Sequence, residues 1–217
     1  MSHRILNAVA LAALTLSAYP QAASAQTIPN YVSTAVDDMH RPQPDKMRDV
    51  NRKPAESIAF AGVKPGDKVV DFLAGGGYFT RILSKVVGPQ GHVYATSAAM
   101  PMGGMGGGNM PMSGGMGGNA MGGGMPMGGM GMTGIKAIAA DPAYSNVSEL
   151  VQSPSKLMVP EPVDMVWTAQ NYHDLHNPGA FHADDMTTFN KSVFDALKPG
   201  GVFLVIDYAT EIGRAHV

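Results

Sequence analysis

The chain has 217 residues and no cysteine, which excludes disulfides, zinc–thiolate sites and cysteine nucleophiles and makes an oxidising compartment tolerable. An excess of one charge is also lacking. Lys and Arg total 15 against 17 Asp and Glu, a net charge of −2. With no long basic or acidic run, a phosphate-seeking nucleic-acid surface is not predicted. The apolar run Ile5–Ala18 is shorter than the roughly 20 residues that a membrane-spanning helix needs, and it ends at Tyr19-Pro20. Arg4 precedes it and Ala23-Ser24-Ala25 follows, so residues 1–25 read as a cleavable export signal, with Gln26 as the mature start and the periplasm or exterior as destination. No cysteine follows the cleavage site, which excludes a lipid anchor there, and no membrane contact is expected after cleavage.

What is present is unevenly spread. Of the 17 methionines, 11 lie between Met100 and Met132, a stretch that also holds 15 glycines and no other large apolar residue. Such a segment cannot build a core, and its glycines make ordering entropically costly; the prediction is a disordered insertion over 98–134. Met-Pro-Met recurs at Met100-Met102, Met110-Met112 and Met125-Met127. Thioethers select Cu(I) and similar soft ions, which makes Cu(I) or Ag(I) a candidate partner. A glycine-rich expansion carrying methionine as a passenger is the simpler account.

Either side of this segment the pattern is regular. Pro29, Pro42 and Pro44 among polar residues predict an extended leader over 26–45. A helix is expected from Asp45, as N-cap, to Ala61, broken at Pro54 because Lys53 is biased out of the helical region. Lys68–Phe72 reads as a first strand, and Phe79, Ile82, Leu83, Val86 and Val87 as the buried stripe of a helix ending at Gly88-Pro89. Gly91–Thr96 is a second strand; strand, helix and strand make a βαβ unit with parallel pairing. A short helix at Ile135–Ala140, a weak third strand at Asn146–Val151 and a fourth at Val163–Thr168 follow. Asp184 or Thr187 is expected to cap a helix to Leu197 that buries Phe189, Val193, Phe194 and Leu197. After the turn Lys198-Pro199-Gly200-Gly201, Val202–Asp207 is apolar enough for a strand buried on both faces.

The stretch Val69–Thr80 organises the rest. A short apolar run ends in Asp71 and passes through Gly75, Gly76 and Gly77 into residues that open a helix, which is how a buried strand meets a helix across a ligand-facing turn. Together with Leu197-Lys198-Pro199-Gly200-Gly201 before a buried strand, and Gln170-Asn171-Tyr172-His173-Asp174 after the fourth, this pattern resembles the class I S-adenosylmethionine-dependent methyltransferases. It resembles most the exported or predicted ones with a Gly-Gly-Gly-Tyr first motif and an Asn-Tyr-His-Asp stretch. The resemblance spans roughly Ala55 to Asp207 and implies a three-layer, Rossmann-like α/β domain over 46–210 with a mainly parallel sheet, truncated after the fifth strand.

The resemblance further implies methyl transfer from S-adenosylmethionine to a small acceptor. Asp71, Gly75, Gly76 and Gly77 match the loop that cradles the methionine end of the cofactor. Thr96-Ser97 stand where an acid usually ends the second strand and holds the ribose, and Leu73 where the commonest motif has its first glycine. Gln152 or Ser153 is the candidate for an adenine contact, and Asn171 for a cofactor or substrate hydrogen bond. His173 is the candidate general base, with Asp174 orienting it and Tyr172 beside it. Three alternatives remain open: capping of the fourth strand by Tyr172 and His173, a weak chelate of His173, Asp174 and His176, and a non-catalytic exported ligand-binding module. No metal site is assigned to the domain. A dinucleotide oxidoreductase ranks lower, since its fingerprint needs glycine where Thr80 stands. Finally, Glu211–Val217 can be encoded by a string resembling a sequencing-library adapter, so residues 211–217 are expected to be a non-native tail and Val202–Ile206 an uncovered edge.

Overall fold

The computed structural model describes residues 27–99, 130–177 and 182–208. The predicted export signal, most of the Gly/Met-rich segment and the predicted tail from 211 lie outside the described residues. The elements are α1 (Asn30–Val36), α2 (Gln43–Lys46), α3 (Asp49–Arg52), α4 (Pro54–Ala61), β1 (Lys68–Asp71), α5 (Tyr78–Val87), β2 (His92–Ala98), α6 (Met130–Ala139), β3 (Val147–Gln152), β4 (Val163–Ala169), α7 (Met186–Ala196) and β5 (Leu197–Ile206).

The five strands form one sheet in the order β3-β2-β1-β4-β5, and every pairing is parallel. Side chains alternate between its faces. Val69, Val93, Ala95, Met165 and Trp167 pack with α1, α4, α5 and α6. Val70, Tyr94 and Val166 pack with Phe189, Val193 and Ala196 of α7. The domain is therefore a three-layer, doubly wound α/β fold of Rossmann-like type.

Several expectations need correction. The predicted extended leader contains two helices, because its prolines start helices: Pro29 and Pro42 occupy N-cap positions and Pro44 lies in the first turn of α2. Val32 and Ala35, a helical step apart, are buried in the core, and Asp45 lies inside α2 instead of capping a helix. The break at Lys53 is real, with φ of 44°. The insertion is narrower than predicted at both ends, since β2 runs to Ala98 and α6 begins at Met130.

Asp185, not Asp184 or Thr187, caps α7, accepting from the backbone N–H groups of Thr187 and Thr188; Asp184 instead accepts from Ser155 Oγ at 2.9 Å. Phe194 is 77% exposed. Nor is β5 buried on both faces: Val202 and Val205 are exposed, because β5 lies at the edge and pairs only with β4 among the described residues. Its pairing jumps from Val163↔Leu197 to Met165↔Val202, so the predicted turn Lys198–Gly201 is a bulge within the strand, where Pro199 costs no central ladder bond.

Candidate active site

From β1 the chain proceeds outward through β2 to β3, then crosses back so that β4 and β5 lie on the other side. The connections diverge beyond the carboxyl ends of β1 and β4, where sheets of this type bind ligands.

The loop leaving β1 is fixed from both neighbours. Phe72 N–H donates to the Trp167 carbonyl at 2.8 Å and Ala74 N–H to the Thr96 carbonyl at 3.0 Å. Leu73 N–H donates to Thr96 Oγ1 at 2.8 Å, while Asn171 Nδ2 donates to the Leu73 carbonyl at 2.8 Å. Leu73 takes φ of 52°, left-handed backbone that costs a non-glycine residue roughly 1 kcal/mol or more. Its side chain meanwhile packs in the α7-side core. A leucine can therefore stand where a glycine is usual, because the side chain turns into the core and leaves the backbone at the rim.

The three glycines divide in role. Gly75, at φ of 57°, and Gly76 have nothing within 4 Å of where a Cβ would lie, so their backbone borders open space. At Gly77, with φ of 77°, an added Cβ would run into Ile138 and Ile135 of α6. Gly134 of α6 in turn lies against the Gly76 backbone, its would-be Cβ 3.3 Å from Gly76 Cα. Gly77 serves helix packing, and Gly75 and Gly76 present a surface.

Asp71 is 3% exposed and accepts from Thr80 Oγ1 at 2.6 Å, which ties the end of β1 to the first turn of α5. Burial pushes its carboxyl up to about 7, against the opposing effects of Thr80's hydrogen bonds and the positive charge of Arg52.

At the ends of β2 and β3 the predicted contacts rearrange. Thr96 is 1% exposed and its oxygen serves Leu73, so it presents no hydroxyl at the rim. Ser97 Oγ donates to Glu149 Oε1 at 2.8 Å, which brings a carboxylate from β3 to the strand position where an acid was missing. Gln152 accepts from Met158 N–H at 2.8 Å, but its Nε2 is buried with no hydrogen-bond partner among the described residues, an unspent donor at the end of β3. Ser153 accepts from Ser155 N–H.

Beyond β4, Gln170 also takes left-handed backbone, φ 63°. Its N–H donates to the Ile206 carbonyl at 2.7 Å, and its Oε1 accepts from Arg52 Nη2 at 2.8 Å. His173 Nδ1 lies 2.8 Å from Asp207 Oδ1, and His173 N–H donates to Asp207 Oδ2 at 2.9 Å. A carboxylate only accepts, so in the contact with Asp207 the proton is carried by Nδ1. Asp174 Oδ1 is 3.3 Å from Nε2. The carboxylate that fixes the His173 ring is therefore Asp207 and not Asp174, which stands beside Nε2. Burial raises Asp207, but N–H bonds from Tyr208 and His173 hold it below the usual carboxylate range. Tyr172 does not join the site: its ring packs near Phe203 and His176, and its hydroxyl donates to Asn190 at 3.3 Å. His176 is taken up in that stack, and among the described residues no group of three or more His, Asp or Glu is placed to hold a metal ion.

Sequence reasoning missed Asp207, Glu149 and Arg52 as site residues. Asp207 had a signal, since it ends an apolar run at the end of β5 just as Asp71 does at β1. Glu149 had none, because its partner lies on another strand.

No family model matches the chain, and no curated protein does. Among solved structures, the chain is similar to a SAM-dependent methyltransferase from Aquifex aeolicus, at 19% identity over 83% of this chain and 77% of that one, with a TM-score of 0.48. It is similar to a protein-L-isoaspartate O-methyltransferase at 15% identity over 78% and 39% of the two chains, TM-score 0.41. A precorrin-6y C5,15-methyltransferase from Geobacter metallireducens matches at 14% identity over 70% and 59%, TM-score 0.44. The chain spans less than two thirds of the second and third of these. The fold assignment rests on strand order, not on these likenesses.

Proposed function

We propose that the chain is an exported S-adenosylmethionine-dependent methyltransferase with a small-molecule acceptor. The observation that carries the reading is the juxtaposition at one rim of an open glycine turn after β1 and an oriented His173–Asp207 pair after β4 and β5. The motif resemblance of Val69–Thr80 and Leu197–Gly201 supports the same class, and residues 1–25 support export.

The residues present suit the cofactor. Gly75 and Gly76 leave backbone open beside the amino end of α5, a position favourable to a carboxylate. Ser97 with Glu149 offers a carboxylate-backed hydroxyl for a sugar diol, and the buried Gln152 Nε2 lacks an acceptor that an adenine nitrogen would provide. When bound, S-adenosylmethionine supplies an electrophilic methyl group. The chain's own part is positioning and proton removal. Asp207 keeps the Nδ1–H tautomer of His173, Nε2 accepts the proton of an acceptor hydroxyl or amine, and Asp174 stabilises the resulting imidazolium.

Calorimetric titration of the chain with S-adenosylmethionine and S-adenosylhomocysteine tests the reading. Micromolar-class binding, weakened about tenfold or more by Gln152→Leu, is expected. Absence of heat and of any thermal shift with both compounds would overturn it.

A further inference from the structure

Three arginines converge on the ring of Tyr78, the first residue after the glycine turn. The guanidinium carbons of Arg41, Arg48 and Arg52 lie 5.3, 5.4 and 4.8 Å from its centroid, and Arg81 reaches the carbonyls of Gly76 and Gly77. Two carboxylates accompany these four cations, and both are committed. Asp49 accepts from both terminal nitrogens of Arg41, at 2.9 and 2.6 Å, and from the Tyr78 hydroxyl at 2.5 Å. Asp45 accepts from Arg81 at 3.0 Å and stands 4.0 Å from Arg48. Arg52 makes no ion pair among the described residues; its hydrogen bond goes to the neutral amide of Gln170, and its guanidinium stacks on Tyr78 and Phe79. A half-buried guanidinium matched only by an amide and two rings lacks the bidentate anion that its fork geometry accepts.

Backbone geometry points to the same spot. Lys53, the residue after Arg52, and Gln170, which holds it, are two of the three non-glycine residues in left-handed conformation among the described residues, the third being Leu73. Such strain persists where surrounding contacts impose it and gathers at ligand sites. Burial, with Arg48's charge as a second cause, shifts Arg52 below its ordinary range, as expected for a cation short of counter-charge.

The place of Arg52 relates it to the segment that carries His173. Gln170 precedes His173 by three residues, and Tyr208, within Arg52's electrostatic reach, has its ring 5.7 Å from that of His173. Arg52 thus stands between the glycine turn, through Tyr78 and Asp71, and the segment after β4 that carries His173. We infer that Arg52, with Arg48 at its outer side, is a carboxylate subsite that selects an anionic acceptor, a small molecule carrying a carboxylate beside the hydroxyl or amine that meets His173. This rests on the proposed methyltransferase reading. The methionine carboxylate of the cofactor offers the same chemistry, and the test separates the two sources.

The full chain is titrated with 4-hydroxybenzoate and with its neutral analogue 4-hydroxybenzamide, each with S-adenosylhomocysteine present, and separately with S-adenosylhomocysteine alone. The wild type is expected to bind the carboxylate about tenfold or more tighter than the amide. Arg52→Gln should remove that preference, and Arg48→Gln, on an exposed side chain, should reduce it. S-adenosylhomocysteine affinity should stay within about twofold in both variants. Equal binding of the two probes by the wild type overturns the subsite. A carboxylate preference unmoved by Arg52→Gln and Arg48→Gln overturns it too, as does loss of S-adenosylhomocysteine affinity in Arg52→Gln, which would assign the guanidinium to the cofactor. If the wild type binds no S-adenosylhomocysteine but keeps an arginine-dependent preference for the carboxylate, the methyltransferase reading fails and the subsite stands.

Discussion

Replacing Asp71 by asparagine exchanges a buried carboxyl for an amide of the same shape that can still accept from Thr80 Oγ1. The change therefore isolates an ionisation. Asp71 titrates near 3.8 when exposed and about 7 in the fold, burial being the main cause. Between these values the folded chain holds a proton that the unfolded chain has released, so stability falls as pH rises and levels off above about 7. Each pH unit inside that window costs about 1.4 kcal/mol, so from pH 5 to pH 8 the loss is roughly 3 kcal/mol, the last unit adding little. Other groups titrate too. Asp38, Asp49, Asp164 and Asp207 are held low, so their contribution is complete above the ordinary carboxylate range. His92 is depressed by burial, so its contribution rises with pH up to about 6.5 and opposes that of Asp71. Comparing wild type with Asp71→Asn at each pH cancels these background terms. Urea unfolding at pH 5 and pH 8 should give a stability difference between the two proteins that moves by roughly 3 kcal/mol in favour of asparagine at the higher pH. A difference that stays constant to within about 0.5 kcal/mol would show that Asp71 is ionised at its usual pH and that burial does not govern it.

Two further substitutions separate packing from surface in the glycine loop. Gly77→Ala meets both left-handed backbone and the ends of Ile135 and Ile138, and should destabilise by roughly 2–5 kcal/mol. Gly75→Ala meets the backbone strain alone, at about 1–2 kcal/mol; equal losses of thermal stability in the two would refute the division. Thr96→Val preserves shape but leaves the buried Leu73 N–H without its 2.8 Å acceptor, at a cost of about 1–3 kcal/mol. Faster amide exchange at Leu73 is the specific readout, and unchanged exchange would count against that bond.

Local patterns carried the sheet. Val69-Val70 before Asp71 and Met165-Val166-Trp167 before Thr168 are short apolar runs followed by polar breaks, and the helical stripe from Phe79 to Val87 is buried in α5. What stayed illegible depends on neighbours far along the chain. Prolines 29, 42 and 44 fit an extended segment as well as helix starts, and what decides is that Val32 and Ala35 find the core. Phe194 looked buried by spacing but lies on the open side of α7. At the site, Thr96 reads as a stand-in for a ribose acid until its partner proves to be Leu73, 23 residues earlier. Tyr172 reads as catalytic until its hydroxyl proves to reach Asn190. The pairs Ser97–Glu149 and His173–Asp207 join residues 52 and 34 apart, separations at which no periodicity gives warning.

The two strained residues on either side of the switch point explain why such pairs matter. Leu73 lies just after β1 and Gln170 just after β4, both in left-handed backbone that their side chains disfavour. Each is held in place from outside its own strand: Leu73 by Thr96 of β2 and by Asn171, the residue following Gln170; Gln170 by Ile206 of β5 and by Arg52 of α3. Loss of the Thr96 bond releases strain at Leu73 and, through the Asn171–Leu73 bond, loosens the chain after β4. The rim is therefore a coupled unit, in which strands β1, β2, β4 and β5 set the backbone that borders the crevice. A double-mutant cycle of Thr96→Val with Asn171→Ala, which removes the bond from the β4 side to Leu73, should show coupling of about 0.5 kcal/mol or more. Strict additivity would mean that the two sides of the crevice are shaped independently.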